Sequence, residues 1–197
     1  MSDAMSNTAM PNTATEDHES FEPNEASLRE MERLMDEARS AKHAFVVQIG
    51  DHIDNPEGTE ALMVELLAEA GYSVDAVIRT GSVKREIRKA LETAVIGGAD
   101  LVITIGGVGV GPRAVAPEAT RKVLDMRIHG IEQAIRASGL AAGAIDAGLS
   151  RGLAGISGQT VVINLAESRA AIRDGMATVG PLVSHVLAEL GKCEFSG

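Results

Sequence analysis

The chain has 197 residues, a formal net charge of -10 and 45% hydrophobic residues, enough apolar material for one filled domain plus an appendage. Aromatics are only 2%, so Ala, Val, Ile, Leu and Met must fill the core, and the stacking platform used by single-stranded nucleic-acid binders is missing. There is no apolar run of about 18 residues, no leader with a charged and then an apolar region, and Cys193 is the single cysteine; the expectation is a cytoplasmic protein without a membrane partner or a disulfide framework.

The charge is unevenly placed. Residues 1–40 carry 10 acids and 3 bases, and residues 41–197 carry 18 acids and 15 bases. The acidity therefore belongs mostly to the N-terminal extension, and no basic patch of the size that grips duplex phosphates is visible, so no nucleic-acid partner is expected. Residues 1–24 are rich in Ser, Thr, Asn, Glu and Pro and read as a disordered acidic tail. Over residues 25–42, Leu28, Met31, Leu34, Met35 and Ala38 recur at steps of three and four, the spacing of an amphipathic helix.

The domain proper is expected over residues 43–192. Ala44–Gly50 is a short β-branched apolar run. Leu62, Leu66, Leu67 and Ala70 share one face of a helix over 58–70. Val74–Ile78 reads as a strand, and Ile87, Ala90, Leu91 and Ala94 mark a helix over 83–96. Asp100–Ile105 is apolar without alternation, as a central parallel strand should be. This β-α-β-α-β order with short connections implies a three-layer α/β/α fold with a mostly parallel central sheet. Further helices are expected over 117–124 and 128–138, a hairpin-like excursion over 144–159, a strand over Thr160–Leu165, and two closing helices at 169–177 and 181–190.

The stretch "VITIGGVGVGPRAVAPEAT" (Val102–Thr120) places Gly106, Gly107, Gly109 and Gly111 just beyond a strand, followed by Pro112 and Arg113. Ligands of open α/β sheets bind outside the carboxyl ends of the strands. Glycine there permits positive φ and lets backbone N–H groups approach an anion. The turn lacks both the dinucleotide fingerprint and the P-loop lysine, so residue chemistry alone leaves an anion cradle and a tight structural turn both open. A side chain at Gly107 is expected to stand between the N–H groups and an incoming phosphate.

Together with "LSRGLAGISGQTVVINL" (Leu149–Leu165), this stretch resembles the MoaB/MogA-type molybdopterin adenylyltransferases, a family shared with the gephyrin G domain. The resemblance covers about residues 44–190. It implies a usually trimeric protein of molybdenum-cofactor biosynthesis, with molybdopterin as substrate or ligand and ATP with Mg²⁺ as the activating pair. It also implies ligand contacts from the four glycines, Pro112, Arg113, Ser150, Arg151, Asn164 and Ser168, and catalytic roles for Asp51 and Glu118. Each has a plainer alternative: a surface ion pair for Arg113, a dipole-favoured carboxylate in a first helical turn for Glu118, strand-edge polars for Ser150 and Arg151, loop caps for Asn164 and Ser168, and a turn carboxylate for Asp51.

Departures from the family pattern cluster where chemistry would occur. Ile105 and Val108 replace threonines, Ala114 replaces an aspartate, Ala116 replaces a threonine expected as a helix cap, and Ala166-Glu167 replaces Pro-Gly, while "TGSV" (Thr80–Val83) stands where a Pro-Asp pair is usual. Catalysis is therefore open. The competing readings are a binding paralogue with weak or lost turnover, and a trimeric scaffold. For the N-terminal tail, limited proteolysis is expected to cut before residue 25 and leave a folded core of about 170 residues; a tail as protected as the core would contradict that reading.

Overall fold

The computed structural model describes residues 42–50 and 55–193, together with Leu28, Arg29 and Met31, which are helical. The expected tail at 1–24, most of the 25–42 helix, and Asp51 lie outside the described residues.

The elements run β1 (Lys42–Ile49), α1 (Pro56–Glu69), β2 (Tyr72–Thr80), α2 (Lys84–Ile96), β3 (Leu101–Ile105), α3 (Ala116–Thr120), β4 (Met126–Arg127), α4 (His129–Ala141), a 3-10 turn (Ile145–Leu149), β5 (Ala154–Ser157), β6 (Thr160–Leu165) and α5 (Arg169–Cys193). The strands form one sheet in the order β2-β1-β3-β6-β5-β4. β2, β1, β3 and β6 are mutually parallel, and β5 runs against both its neighbours. β1 leads outward to β2 on one side and the chain then crosses to β3 on the other. The strand order thus reverses between β1 and β3, which opens a crevice at their carboxyl ends.

Alternation along the strands sorts the core into two layers. Val46, Ile103, Ile105 and Ile163 face α1, α4 and α5, meeting Leu62, Met63, Leu67, Ile131, Ile172 and Val179. Val47, Ile49, Val102 and Val162 face the other way, toward Ile87, Leu91 and Ala94 of α2 and Ala116 and Ala119 of α3. With both faces covered, β3 and β6 are buried along their whole length, which is why their sequences are apolar without a period.

Helix α1 starts where Asn55 Oδ1 accepts from the Gly58 N–H at 2.8 Å and Pro56 occupies the first turn. The expected break at 177–181 is absent: α5 continues through Pro181. A proline removes one helical N–H, here the partner of the Ala177 carbonyl. Both residues are exposed, so water can take that carbonyl. The hairpin-like excursion is partly a 3-10 turn, and its hairpin is the tight β5–β6 pair closed at Gly158 and Gln159. Among the described residues no helix is long and apolar enough to cross a membrane.

The far sheet edge rests on one carboxylate. Glu132 is 3% exposed. It accepts from Arg127 Nε at 3.0 Å and Nη2 at 2.9 Å, and from the Ala154 N–H at 3.3 Å. Arg136 lies 3.9 Å away. This anchors the two-residue strand β4 to α4 and β5. Burial pushes the Glu132 carboxyl up, but the Arg127 hydrogen bonds, the Ala154 N–H, the Arg127 charge and His129 outweigh it and hold it below the usual carboxylate range. The fold thus favours the ionised form. The resulting stability is present above about pH 4.5 and is lost as pH falls through the lower folded value. Glu132→Gln should lower stability at pH 7 by about 2–3 kcal/mol, since two guanidinium groups lose their partner while keeping some access to water. Urea midpoints should show the gap and show it narrowing as pH falls below the usual carboxylate range; a gap that widens as pH falls would contradict the assignment.

Candidate functional site

The crevice at the strand reversal is a cavity of about 610 Å³. Its floor is the end of β1 at Ile49 and Gly50, the turn after β3, and the end of β6 at Asn164 and Leu165. Gly106 and Gly107 have φ of +95° and +65°, the left-handed region. A Cβ on Gly106 would stand 2.5 Å from the Ile49 carbonyl oxygen, so only glycine lets the turn cross β1 there. The Gly106 N–H donates to Leu165 O at 2.9 Å and the Gly107 carbonyl accepts from Ala116 N at 3.1 Å, which pins both ends of the turn. The N–H groups of Gly107, Val108, Gly109, Val110 and Gly111 make no hydrogen bond among the described residues.

Opposite the turn, α5 points its N-terminus into the cavity. Ser168 Oγ accepts from the Ala171 N–H at 3.2 Å and Ser168 O from Ile172 N at 2.9 Å, so Ser168 is the cap of α5 and lines the wall with Ala170 and Ala171. Free N–H groups of the turn and the positive end of a long helix therefore face one space, a combination suited to phosphate or another anion. Arg113 also lines the cavity and has no ion-pair partner among the described residues. The cavity's carboxylates are Asp146, Glu167 and Asp174, the last accepting from Ser138 Oγ at 2.7 Å. Asp146 and Asp174 carry no sequence signal of a site: one sits in an irregular excursion and the other reads as an ordinary helix residue.

Three expected site residues are used differently. Asn164 is 2% exposed. Its Nδ2 donates to Thr104 Oγ1 at 2.8 Å and Thr120 Oγ1 at 2.9 Å, and its Oδ1 accepts from the Leu153 N–H at 3.0 Å. Asn164 lies at the cavity floor, and its side chain also joins β3, α3 and the approach to β5. Arg151 turns to the back of the glycine loop, where its guanidinium donates to Gly109 O at 2.8 Å, to Ala114 O and to the Glu118 carboxylate. Its own N–H donates to Val108 O at 2.8 Å. Glu118 is absent from the glycine cavity and lines a second concavity behind it, together with Arg151. Burial raises the Glu118 carboxyl, but the Arg151 hydrogen bond, its own backbone N–H, and the Arg151 and Lys84 charges together keep it below the usual range, the state of a structural ion-pair acceptor. Gly111 and Pro112 lie at the exposed outer end of the loop, and Ser150 lines the cavity while accepting weakly from Gly152 N at 3.3 Å.

The family profile described as "Probable molybdopterin binding domain" matches residues 46–185. The chain belongs to this family. A molybdenum cofactor biosynthesis protein B of Bacillus cereus is 31% identical over 153 residues, 74% of this chain and 88% of that one. A molybdopterin adenylyltransferase of Helicobacter pylori is 36% identical over 86 residues, 44% of this chain and 48% of that one. A crystal structure of a molybdopterin biosynthesis protein from Mycobacterium abscessus superposes with a TM-score of 0.74 at 52% identity, covering 78% of this chain and 98% of that one. The chain spans less than half the length of several longer curated relatives it matches, between 12% and 41%.

Within this molybdopterin-binding family fold, the sequence departures sort into two kinds. Ile105 is fully buried against the α1 and α5 layer and serves packing, and Val108, 5% exposed, packs in the opposite core layer while also lining the cavity. Ala116 is the first residue of α3, not its cap; Val115 holds the cap position without a side-chain bond, and the Ala116 N–H is satisfied by Gly107. Ala114 does line the cavity, as do Ser82 and Glu167, so these substitutions change the groups a ligand meets.

The glycine geometry also revises the expected effect at position 107. A Cβ there would press on Ile49 Cγ2 at 3.3 Å and Ala116 Cβ at 3.4 Å, inside the core, whereas at Gly109 it would enter open space. Gly107→Val should therefore lower the urea midpoint by the equivalent of about 1–3 kcal/mol, from left-handed backbone strain at a β-branched residue. Gly109→Val should leave stability within about 0.5 kcal/mol. Equal stability of the two variants would contradict this placement.

Proposed function

We propose that this chain binds molybdopterin together with ATP in the glycine cavity and transfers AMP to the pterin's phosphate, whose oxygen attacks the ATP α-phosphorus as the α–β bond breaks and pyrophosphate leaves. The observation that carries the reading is the convergence of the turn at Gly107–Val110, whose N–H groups are unbonded among the described residues, and the α5 N-terminus on one cavity at the strand reversal. The adenylyltransferase likeness and the family match support the substrate assignment. The same likeness extends the proposal to a homotrimeric cytoplasmic protein.

Phosphates would sit on the turn, where the backbone donors are fixed before the ligand arrives and need no reorganisation as charge builds. Arg113, unpaired at the loop's outer end, would close on the same charge. Among the described residues no three His, Cys, Asp or Glu side chains gather into a metal cage. Mg²⁺ usually relies on one or two carboxylates plus substrate phosphates and water, and Glu167 fits that role: its Oε2 lies 3.2 Å from where a Cβ on Gly106 would be, directly over the turn. When bound there, the ion would supply charge neutralisation to the phosphates.

Ala114 favours a second reading, in which ligand binding outlasts turnover, because a methyl group faces the cavity where resembling enzymes carry a carboxylate. An assay of AMP transfer from ATP to molybdopterin tests both. The first reading expects Mg²⁺-dependent transfer by the wild type that Gly109→Val abolishes. The second expects slow transfer by the wild type, raised toward ~10²-fold by Ala114→Asp. Absence of nucleotide and pterin binding by calorimetry would end both.

A further inference from the structure

Behind the glycine loop lies a second concavity of about 1020 Å³, which the molybdopterin reading does not use. Its walls come from four separate parts of the chain. α2 contributes Lys84, Arg85 and Arg88, the end of α3 contributes Arg121 and Lys122, and the β4–α4 edge contributes Arg127 and Arg136, with Arg151 at the floor. Only two carboxylates, Glu118 and Glu132, line it, and both are engaged, by Arg151 and by Arg127 respectively. Arg88 pairs with Glu92 at 3.3 Å. The side chains of Lys84, Arg85, Arg121 and Lys122 make neither a hydrogen bond nor a salt bridge among the described residues, although the Lys84 charge is felt at Glu118. Eight cations against two acids, in a chain of net charge -10, leave a local excess that nothing described neutralises.

We propose that this basic concavity is a second anion site, distinct from the glycine cavity, that takes a small molecule carrying several linked phosphates. The cations without side-chain partners come from two separate segments, the start of α2 (Lys84, Arg85) and the turn that follows α3 (Arg121, Lys122), so linked phosphates can engage both where a single phosphate would engage one. The lining contains no aromatic side chain, so there is no stacking surface for a base, and the ligand is read by its charge. A concavity of about 1020 Å³ is of small-molecule size, whereas a duplex needs a basic face that follows its backbone.

The test uses inorganic tripolyphosphate as probe, titrated calorimetrically into the full chain at about 0.15 M salt. Binding should be saturable and tighter than that of orthophosphate. Lys84→Glu and Arg121→Glu, both at exposed positions, should each weaken it at least tenfold with an unchanged circular dichroism spectrum, and Arg121→Lys should retain most of it. Gly109→Val, which obstructs only the other cavity, should leave it unchanged. Four results would overturn the proposal: no binding beyond that of orthophosphate, loss of binding in Gly109→Val, a duplex DNA that displaces the probe at lower concentration, or a change in oligomeric mass by light scattering when either charge is reversed, which would make the concavity an interface between copies. Because the two cavities are probed by separate variants, failure here leaves the molybdopterin reading standing.

Discussion

Much of the site hangs on one buried amide. Asn164 lies directly across from Thr104 in the parallel β3–β6 pair, and its side chain reaches sideways to Thr104 and Thr120 while receiving the Leu153 N–H. Three chain segments remote in sequence are thus fixed to one another by groups that have no access to water. Such a network specifies geometry because each partner, if left alone, would cost about 1–3 kcal/mol. Thr120 ends α3, so the amide fixes where that helix stops. The loop that precedes α3 then has a defined span to cross, and Arg151, two residues before Leu153, is placed to grip that loop from behind.

This arrangement divides the polar residues of the glycine region between two tasks. Asn164, Arg151 and Glu118 hold the loop's shape, and their hydrogen-bonding capacity is turned inward or backward. The cavity's hydrogen-bond donors are in good part backbone: turn N–H groups left unbonded among the described residues, and the first turn of α5. A cradle made this way has little freedom to lose when an anion arrives, which is the condition for effective preorganisation. It also tolerates side-chain replacement, since the donors belong to the main chain. Replacement of several polar residues of the family pattern by Ile, Val and Ala therefore leaves these backbone donors unaltered in kind.

The layered fold was legible because its signals are local and redundant. Ile87, Ala90, Leu91 and Ala94 point one way on any helix of that spacing, and all four are buried. The apolar runs of β3 and β6 demanded cover on both faces and have it. That the glycine turn borders a crevice was also readable, since it follows a buried parallel strand, and Gly106, Gly107 and Gly109 do line one. Individual side chains were not. Asn164, Arg151 and Glu118 each carry chemistry that suits a ligand, and their internal partners lie 11 to 60 residues away along the chain. The basic concavity was hidden for the same reason: its cations come in ones, twos and threes on separate elements, and no window along the sequence contains more than a fraction of them. Strand β4 escaped notice because two residues have no period, and it is held by Glu132 rather than by pattern.

Pro181 has a consequence for the far end of its helix. α5 leaves the Ala177 carbonyl to solvent, and this restricts how the whole rod can be rolled. Turning it by one residue, about 100°, would carry an orphan carbonyl toward the apolar layer beneath, at a cost of about 1–3 kcal/mol. The proline thereby acts as an index mark that selects one rotational setting of α5 out of several that its many alanines, valines and glycines would otherwise accept. Ser168 caps the N-terminal end of the same rod, so the direction in which that cap faces the cavity is governed in part by a residue at the middle of the helix, about three and a half turns away.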